Sequence, residues 1–186
     1  MTYVALLRGI NVGRAKRVAM ADLRTLIEGL GYRHVQTLLN SGNVVFTGPK
    51  TPGAAIAARI ERTMTKTLGV AANVTIVSAD ELEAIVNAMP LETDGRDPSR
   101  MMVGFFRTPA DERRIDAVVS ATWTPDEVAT GPRVVYVWCP DKILESTAFA
   151  AIGRAAGDGI TTRNWSTVTK LLALSRELVP RANVKS

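Results

Sequence analysis

The order in which apolar periodicities succeed one another constrains this chain more than any single motif. Thr2 to Leu7 is a continuous apolar run bounded by glycine, which reads as a buried strand. Leu23, Leu26, Ile27 and Leu30 then recur at helical spacing, and Gly31 supplies a C-terminal stop. His34 to Leu39 reads as a second strand, Asn40-Ser41-Gly42-Asn43 as a turn, and Val44-Val45-Phe46 as the return of a β-hairpin. Past the loop Gly48 to Pro52, a helix puts Ile56, Ile60, Met64 and Leu68 on one face and ends at Gly69. Asn73 to Val77 is a fourth strand. The order strand–helix–strand–strand–helix–strand is that of the split βαβ, or ferredoxin-like, arrangement.

The same order returns in the second half. A trailing helix carries Leu82, Ile85, Val86 and Met89, with Ser78 and Glu81 at capping-box spacing, and stops at Pro90. Glu92 to Arg100 is polar and reads as a linker. Met101 to Phe106 is a strand, and Thr108-Pro109 opens a helix with Ile115, Val118 and Val119 inward. Glu127 to Ala129 and Arg133 to Trp138 form a hairpin around Gly131-Pro132. A helix falls between Asp141 and Ala156, a short strand at Ile160 to Thr162, and a last helix is capped by Asn164 or Ser166 and ended by Pro180. The expected class is α+β: two ferredoxin-like (βαββαβ) subdomains packed as one compact unit, with an extra helix after each. The expected boundaries are 1–90, a linker at 91–100, and 101–186.

Composition narrows the functional classes. No run of about 18 apolar residues exists, so no membrane span is expected. No signal-peptide pattern opens the chain, so a cytoplasmic location is the default. One cysteine, Cys139, and one histidine, His34, leave too few ligands for structural zinc, and no metal site is expected. Cys139 follows the apolar run Val135 to Trp138 and reads as a buried, inert thiol. A single histidine also leaves little material for a Ser-His-Asp arrangement. The formal net charge of +5 favours anionic partners.

The candidate site follows from topology. In a ferredoxin-like sheet the first two strands end at the same edge. The loop after the first strand, Arg8 to Val18, is then expected beside the hairpin turn Asn40 to Asn43. That would gather Arg8, Gly9, Asn11, Gly13, Lys16, Arg17, Ser41 and Asn43 at one basic rim rich in backbone N–H groups, a combination that suits an anion. The alternative stays open: Gly9 and Gly13 only turn the chain, and the asparagines only satisfy backbone groups. The spacing Gly9-Ile10-Asn11-Val12-Gly13 is neither a dinucleotide fingerprint nor a P-loop, so no cofactor is indicated. A second stretch, Thr161 to Thr167, places Arg163 and Asn164 at a helix start and is added to the candidate ligand-binding set. The aromatics of an RNA-recognition module are absent from the first half's central strands, which offer only Tyr3 and Phe46.

The stretches Leu6-Leu7-Arg8-Gly9-Ile10-Asn11-Val12-Gly13, then Met20 and Leu23, then Leu39 to Phe46, resemble a bacterial family, that of the domain of unknown function 1697. Thr162-Arg163-Asn164-Trp165-Ser166-Thr167 with Lys170-Leu171 is similar to its C-terminal motif. The resemblance covers nearly the whole chain and implies two ferredoxin-like subdomains. It carries no activity. Where the family often has a second glycine after Gly13, this chain has Arg14. The leading reading is a protein that holds a small anionic or phosphate-bearing ligand at the rim. The alternatives are an enzyme acting on such a ligand, with Asn11, Ser41 or Asn43 orienting it, and an interaction or non-specific nucleic-acid-binding module. No reaction and no oligomeric state is read from the sequence.

Overall fold

A computed structural model describes residues 1–11 and 17–178. The element order begins β1 (Thr2–Arg8), α1 (Met20–Gly29), β2 (Arg33–Leu38), β3 (Asn43–Thr47), α2 (Gly53–Leu68), β4 (Asn73–Ser78) and α3 (Ala79–Asn87). It repeats as β5 (Met101–Phe106), α4 (Pro109–Arg113), α5 (Asp116–Val119), β6 (Glu127–Gly131), β7 (Val134–Trp138), α6 (Thr147–Ala156), β8 (Ile160–Asn164) and α7 (Trp165–Glu177). The strands form two antiparallel four-stranded sheets, ordered β2-β3-β1-β4 and β6-β7-β5-β8. Both are ferredoxin-like.

By packing, the chain divides into one unit of Met1–Asp80 with α7 from Leu171, and a second of Glu81–Lys170. The divisions fall inside α3 and α7, and the polar stretch 91–100 lies within the second unit. That stretch is held on the second unit. Arg96 forks onto both carboxylate oxygens of Glu127 at 2.7 and 3.0 Å, and its guanidinium lies 4.9 Å from the centre of the Trp138 ring. Glu127 and Trp138 are register partners on β6 and β7, so one arginine engages both strands.

In the first unit, alternate residues of β1 face the helices: Tyr3, Ala5 and Leu7 pack with Val44, Phe46, Val74 and Ile76. Ile56, Ile60 and Met64, one stripe of α2, are wholly buried against them. Each such side chain stabilises the fold by about 1.5–3 kcal/mol. In the second unit Met102, Phe106, Val135, Val137 and Ile160 pack on Ile115, Ala148, Ile152 and Ala156. Tyr136 points from the other face of that sheet, where its hydroxyl donates to the Ile85 carbonyl of α3 at 2.8 Å.

Three local expectations change. The second strand ends at Leu38, not Leu39. The last ladder pair is Leu38 with Asn43, and the Asn43 amide donates to the Leu38 carbonyl, so residues 39–42 form the turn. Leu39 takes a left-handed backbone (φ 59°) and is 57 % exposed. The helix after Thr108 breaks into α4 and α5 around Ile115, whose φ and ψ of −101° and 2° leave the helical region. The helix expected after Asp141 starts only at Thr147, where the Ser146 hydroxyl accepts from the Phe149 N–H. Thr108 caps α4 as the sequence suggests, with Pro109 first in the helix.

Candidate functional site

The glycine loop and the hairpin turn meet. β1 pairs directly with β3, so its end arrives where β3 begins. The Leu7 N–H donates to the Gly42 carbonyl at 2.8 Å. Gly42 has φ +74°, and a Cβ there would stand 2.8 Å from both Leu7 Cβ and Ile10 Cδ1. The side chain of Ile10 therefore lies against the bare α-carbon of the turn, and only glycine leaves that room.

Asn11 fixes the approach. Its amide donates to the Asn40 carbonyl at 2.8 Å and to the Val18 carbonyl at 3.2 Å, while its Oδ1 accepts from the Val18 N–H at 2.8 Å. One side chain thus closes the loop on itself and ties it to the turn. Its backbone is left-handed (φ 55°), which asparagine tolerates. Because Val18 is held by Asn11, the adjacent and exposed Arg17 is placed at the same end of the unit. Gly9 (φ +85°) begins the turn, and a Cβ there would meet nothing within 4 Å.

Asn43 is different in kind. It is 0 % exposed, and its amide donates to the Leu38 carbonyl at 3.0 Å and to Ser41 Oγ at 2.8 Å. In register, Leu6 lies between Asn43 on β3 and Thr75 on β4, and Arg8 lies opposite Asn73. These residues share the sheet face opposite α1 and α2, since directly paired residues point the same way. Thr75 is also buried. Asn43 acts as a positioning residue that holds exposed Ser41 in place.

Of the remaining candidates, Gly13 and Lys16 lie outside the described residues. Arg163 and Asn164 belong to the second unit, at the end of β8. Asn164 Oδ1 accepts from the Thr167 N–H at 2.9 Å and caps α7. Arg163 donates to the Thr162 carbonyl at 2.7 Å, and burial pulls its guanidinium down to about 10. Cys139 is buried, and desolvation raises its thiol. A separate groove of about 440 Å³ runs between α1 and α2, lined by Asp22, Thr25, Leu26, Leu30, Thr63 and Leu68 among others; none of the candidates lines it. Periodicity alone pointed to none of the groups that organise the site most, the Asn11 amide and the Ile10–Gly42 contact, because each depends on a partner about thirty residues away.

Residues 1–136 match the model of a protein family of unknown function, DUF1697. The chain belongs to that family. A solved structure with the same fold is that of a conserved bacterial protein from Streptococcus pneumoniae, 23 % identical, with a TM-score of 0.74 over 94 % of this chain and 98 % of that one. No curated protein matches the sequence. Among the described residues, no helix is long and apolar enough to cross a membrane.

Proposed function

We propose that this DUF1697 protein holds a small phosphate-bearing anion at the rim of its first unit. The observation that carries the reading is the Asn11 staple, which ties the glycine loop to the hairpin turn at 2.8 Å, with Arg8 three residues before Asn11 and Arg17 next to Val18, its other partner. Arg8 ends β1 and is half-buried, Arg17 and Ser41 are exposed, and Gly9 and Asn11 take left-handed backbones, a geometry from which anion-binding concavities are built. A guanidinium presents donors in a fork that matches phosphate oxygens. Gly13 and Lys16, outside the described residues, are assigned to the proposed site by sequence alone. Asn11 and Asn43 position it.

The test is thermal unfolding with inorganic phosphate, pyrophosphate and nucleotides. A phosphate compound should raise the unfolding temperature of the native chain, and Arg8→Ala with Arg17→Ala should remove the rise while leaving the fold intact. A chain indifferent to every phosphate compound would sink the proposal.

A further inference from the structure

The two units differ in charge far more than the chain average suggests. Residues 1–80 carry ten Lys and Arg against four Asp and Glu, whereas residues 81–170 carry ten against thirteen. In the second unit many cations sit on carboxylates: Arg96 on Glu127, Arg100 on Asp97, Arg114 on Asp111, Arg133 on Glu81 and Lys142 on Glu145. In the first unit Arg33, Lys50, Arg59, Arg62 and Lys66 are all exposed, and none of the five forms an ion pair among the described residues. Residues 1–80 hold four carboxylates. Glu61 accepts from the Val74 N–H at 2.8 Å and so is turned toward β4; Asp22 and Glu28 are on α1, and Asp80 is in α3.

Four of the five cations lie on the helix side of the sheet; Arg33, paired with Thr47 and through it with Thr2, faces the other side. Arg59, Arg62 and Lys66 succeed one another at i, i+3 and i+7 along α2, on the side away from Ile56, Ile60 and Met64. At 1.5 Å of rise per residue they span roughly 10 Å. The Arg59 guanidinium lies 5.9 Å from the centre of the Tyr32 ring. Tyr32 packs on Phe46, and on Gly48 so closely that a Cβ there would meet the ring at 2.7 Å. Lys50 is two residues past Gly48. Tyr32 therefore joins the helical stripe to the loop after β3.

We propose that this face of the first unit binds the phosphodiester backbone of nucleic acid without reading its sequence. It is a different surface from the rim and shares no residue with it. Two of the four cations on it, Arg59 and Arg62, are arginines, whose guanidinium forks suit phosphate. Base stacking is not provided, since Tyr32 is buried. A lipid surface is disfavoured because an interfacial helix turns its apolar side to the membrane. The apolar side of α2 is in the core, and the exposed large apolar residues among those described are Met1, Leu39 and Leu144, none of them on α2.

Counterion release makes the proposal quantitative. Four phosphate contacts on duplex DNA give a slope of about −3.6 for log affinity against log salt, or roughly 150-fold weaker binding at 200 mM than at 50 mM salt. The test is fluorescence anisotropy with labelled duplexes of two unrelated sequences. Equal affinity for both, with that steep salt dependence, is expected. The triple variant Arg59→Gln, Arg62→Gln, Lys66→Gln should reduce the slope by about 2.7 while its unfolding temperature stays unchanged. Arg8→Ala should bind DNA as the native chain does. The proposal is overturned by no binding at low salt, by binding that the triple variant retains in full, by loss of binding in Arg8→Ala, or by preference for phosphatidylserine vesicles over DNA. The phosphate-shift experiment on the rim uses other residues and another probe, so either proposal stands or falls alone.

Discussion

Gly42→Ala is the most informative single perturbation, because two separable costs meet at that residue. The first is conformational. With φ at +74°, an alanine must hold a left-handed backbone, which costs about 1 kcal/mol. The second is steric. The new Cβ would stand 2.8 Å from Leu7 Cβ and from Ile10 Cδ1. Ile10 can swing its terminal methyl away, but Leu7 Cβ is fixed to a strand that pairs on both sides. Forcing an extra carbon into such a contact costs about 1–3 kcal/mol. The sum is about 3 kcal/mol, or roughly 6–12 °C in unfolding temperature for a chain of this length. Gly69→Ala is the matched control. Gly69 is also left-handed (φ +64°), but a Cβ there meets nothing within 4 Å, so only the conformational cost applies. Calorimetry of the two variants side by side isolates the steric part. Gly42→Ala should unfold about 4–8 °C below Gly69→Ala and should also lose any response to phosphate, since the turn is pushed off the loop. Equal unfolding temperatures would refute the claim that the turn and the glycine loop are in direct contact.

Two further outcomes are expected in the second unit. Burial pushes the Tyr136 phenol up to about 12, above its ordinary value near 10. The unfolded chain thus gives up that proton first as pH rises, and the stability present below pH 10 is lost as pH climbs toward 12. Tyr136→Phe should be less stable at neutral pH by about 1 kcal/mol, for the lost bond to the Ile85 carbonyl. It should also show a shallower decline in alkaline unfolding curves; an identical decline would refute the assignment. Arg163, half-buried and lowered to about 10 by desolvation, contributes with the opposite sign in that range, so the difference between the two proteins is the quantity to read. Arg96→Ala removes both the fork on Glu127 and the contact with Trp138. Because Glu127 is half-exposed, the loss should be about 1 kcal/mol in urea unfolding followed by tryptophan fluorescence. A loss of several kcal/mol would mean that the 91–100 stretch is held by far more than this arginine.

The rim shows where sequence reasoning reaches and where it stops. Its location was legible, because the ferredoxin-like order sends the ends of β1 and β2 to the same edge. The individual roles were not. Asn43 read either as a ligand-binding residue or as one that satisfies backbone groups of the hairpin; its amide is buried on the Leu38 carbonyl and Ser41 Oγ, and turn chemistry in a sequence does not say which way an amide faces. Leu39 read as the last residue of a strand because it is apolar, yet it turns outward in a left-handed conformation. The ladder closes one residue earlier, and pairing rather than residue type sets where a strand ends. Asn164 was named as a cap and is one. Arg163 read as a cation that either pairs with a carboxylate or meets a ligand, and that it is half-buried follows from the pairing of β8 with β5.

By itself the sequence determined the succession of strands and helices, the two hairpins and the caps at Thr108 and Asn164. All of these are local: they depend on residues within a turn or two of one another, and periodicity or capping chemistry records them directly. Only the tertiary structure decided that the Asn11 amide binds the Asn40 carbonyl, that Gly42 must lack a side chain beneath Ile10, and that Lys50, Arg59, Arg62 and Lys66 form no ion pair among the described residues while many cations in the second unit are paired. Each of these is a meeting of atoms distant along the chain. Register and strand order bring them together, and no local pattern encodes which distant partner arrives.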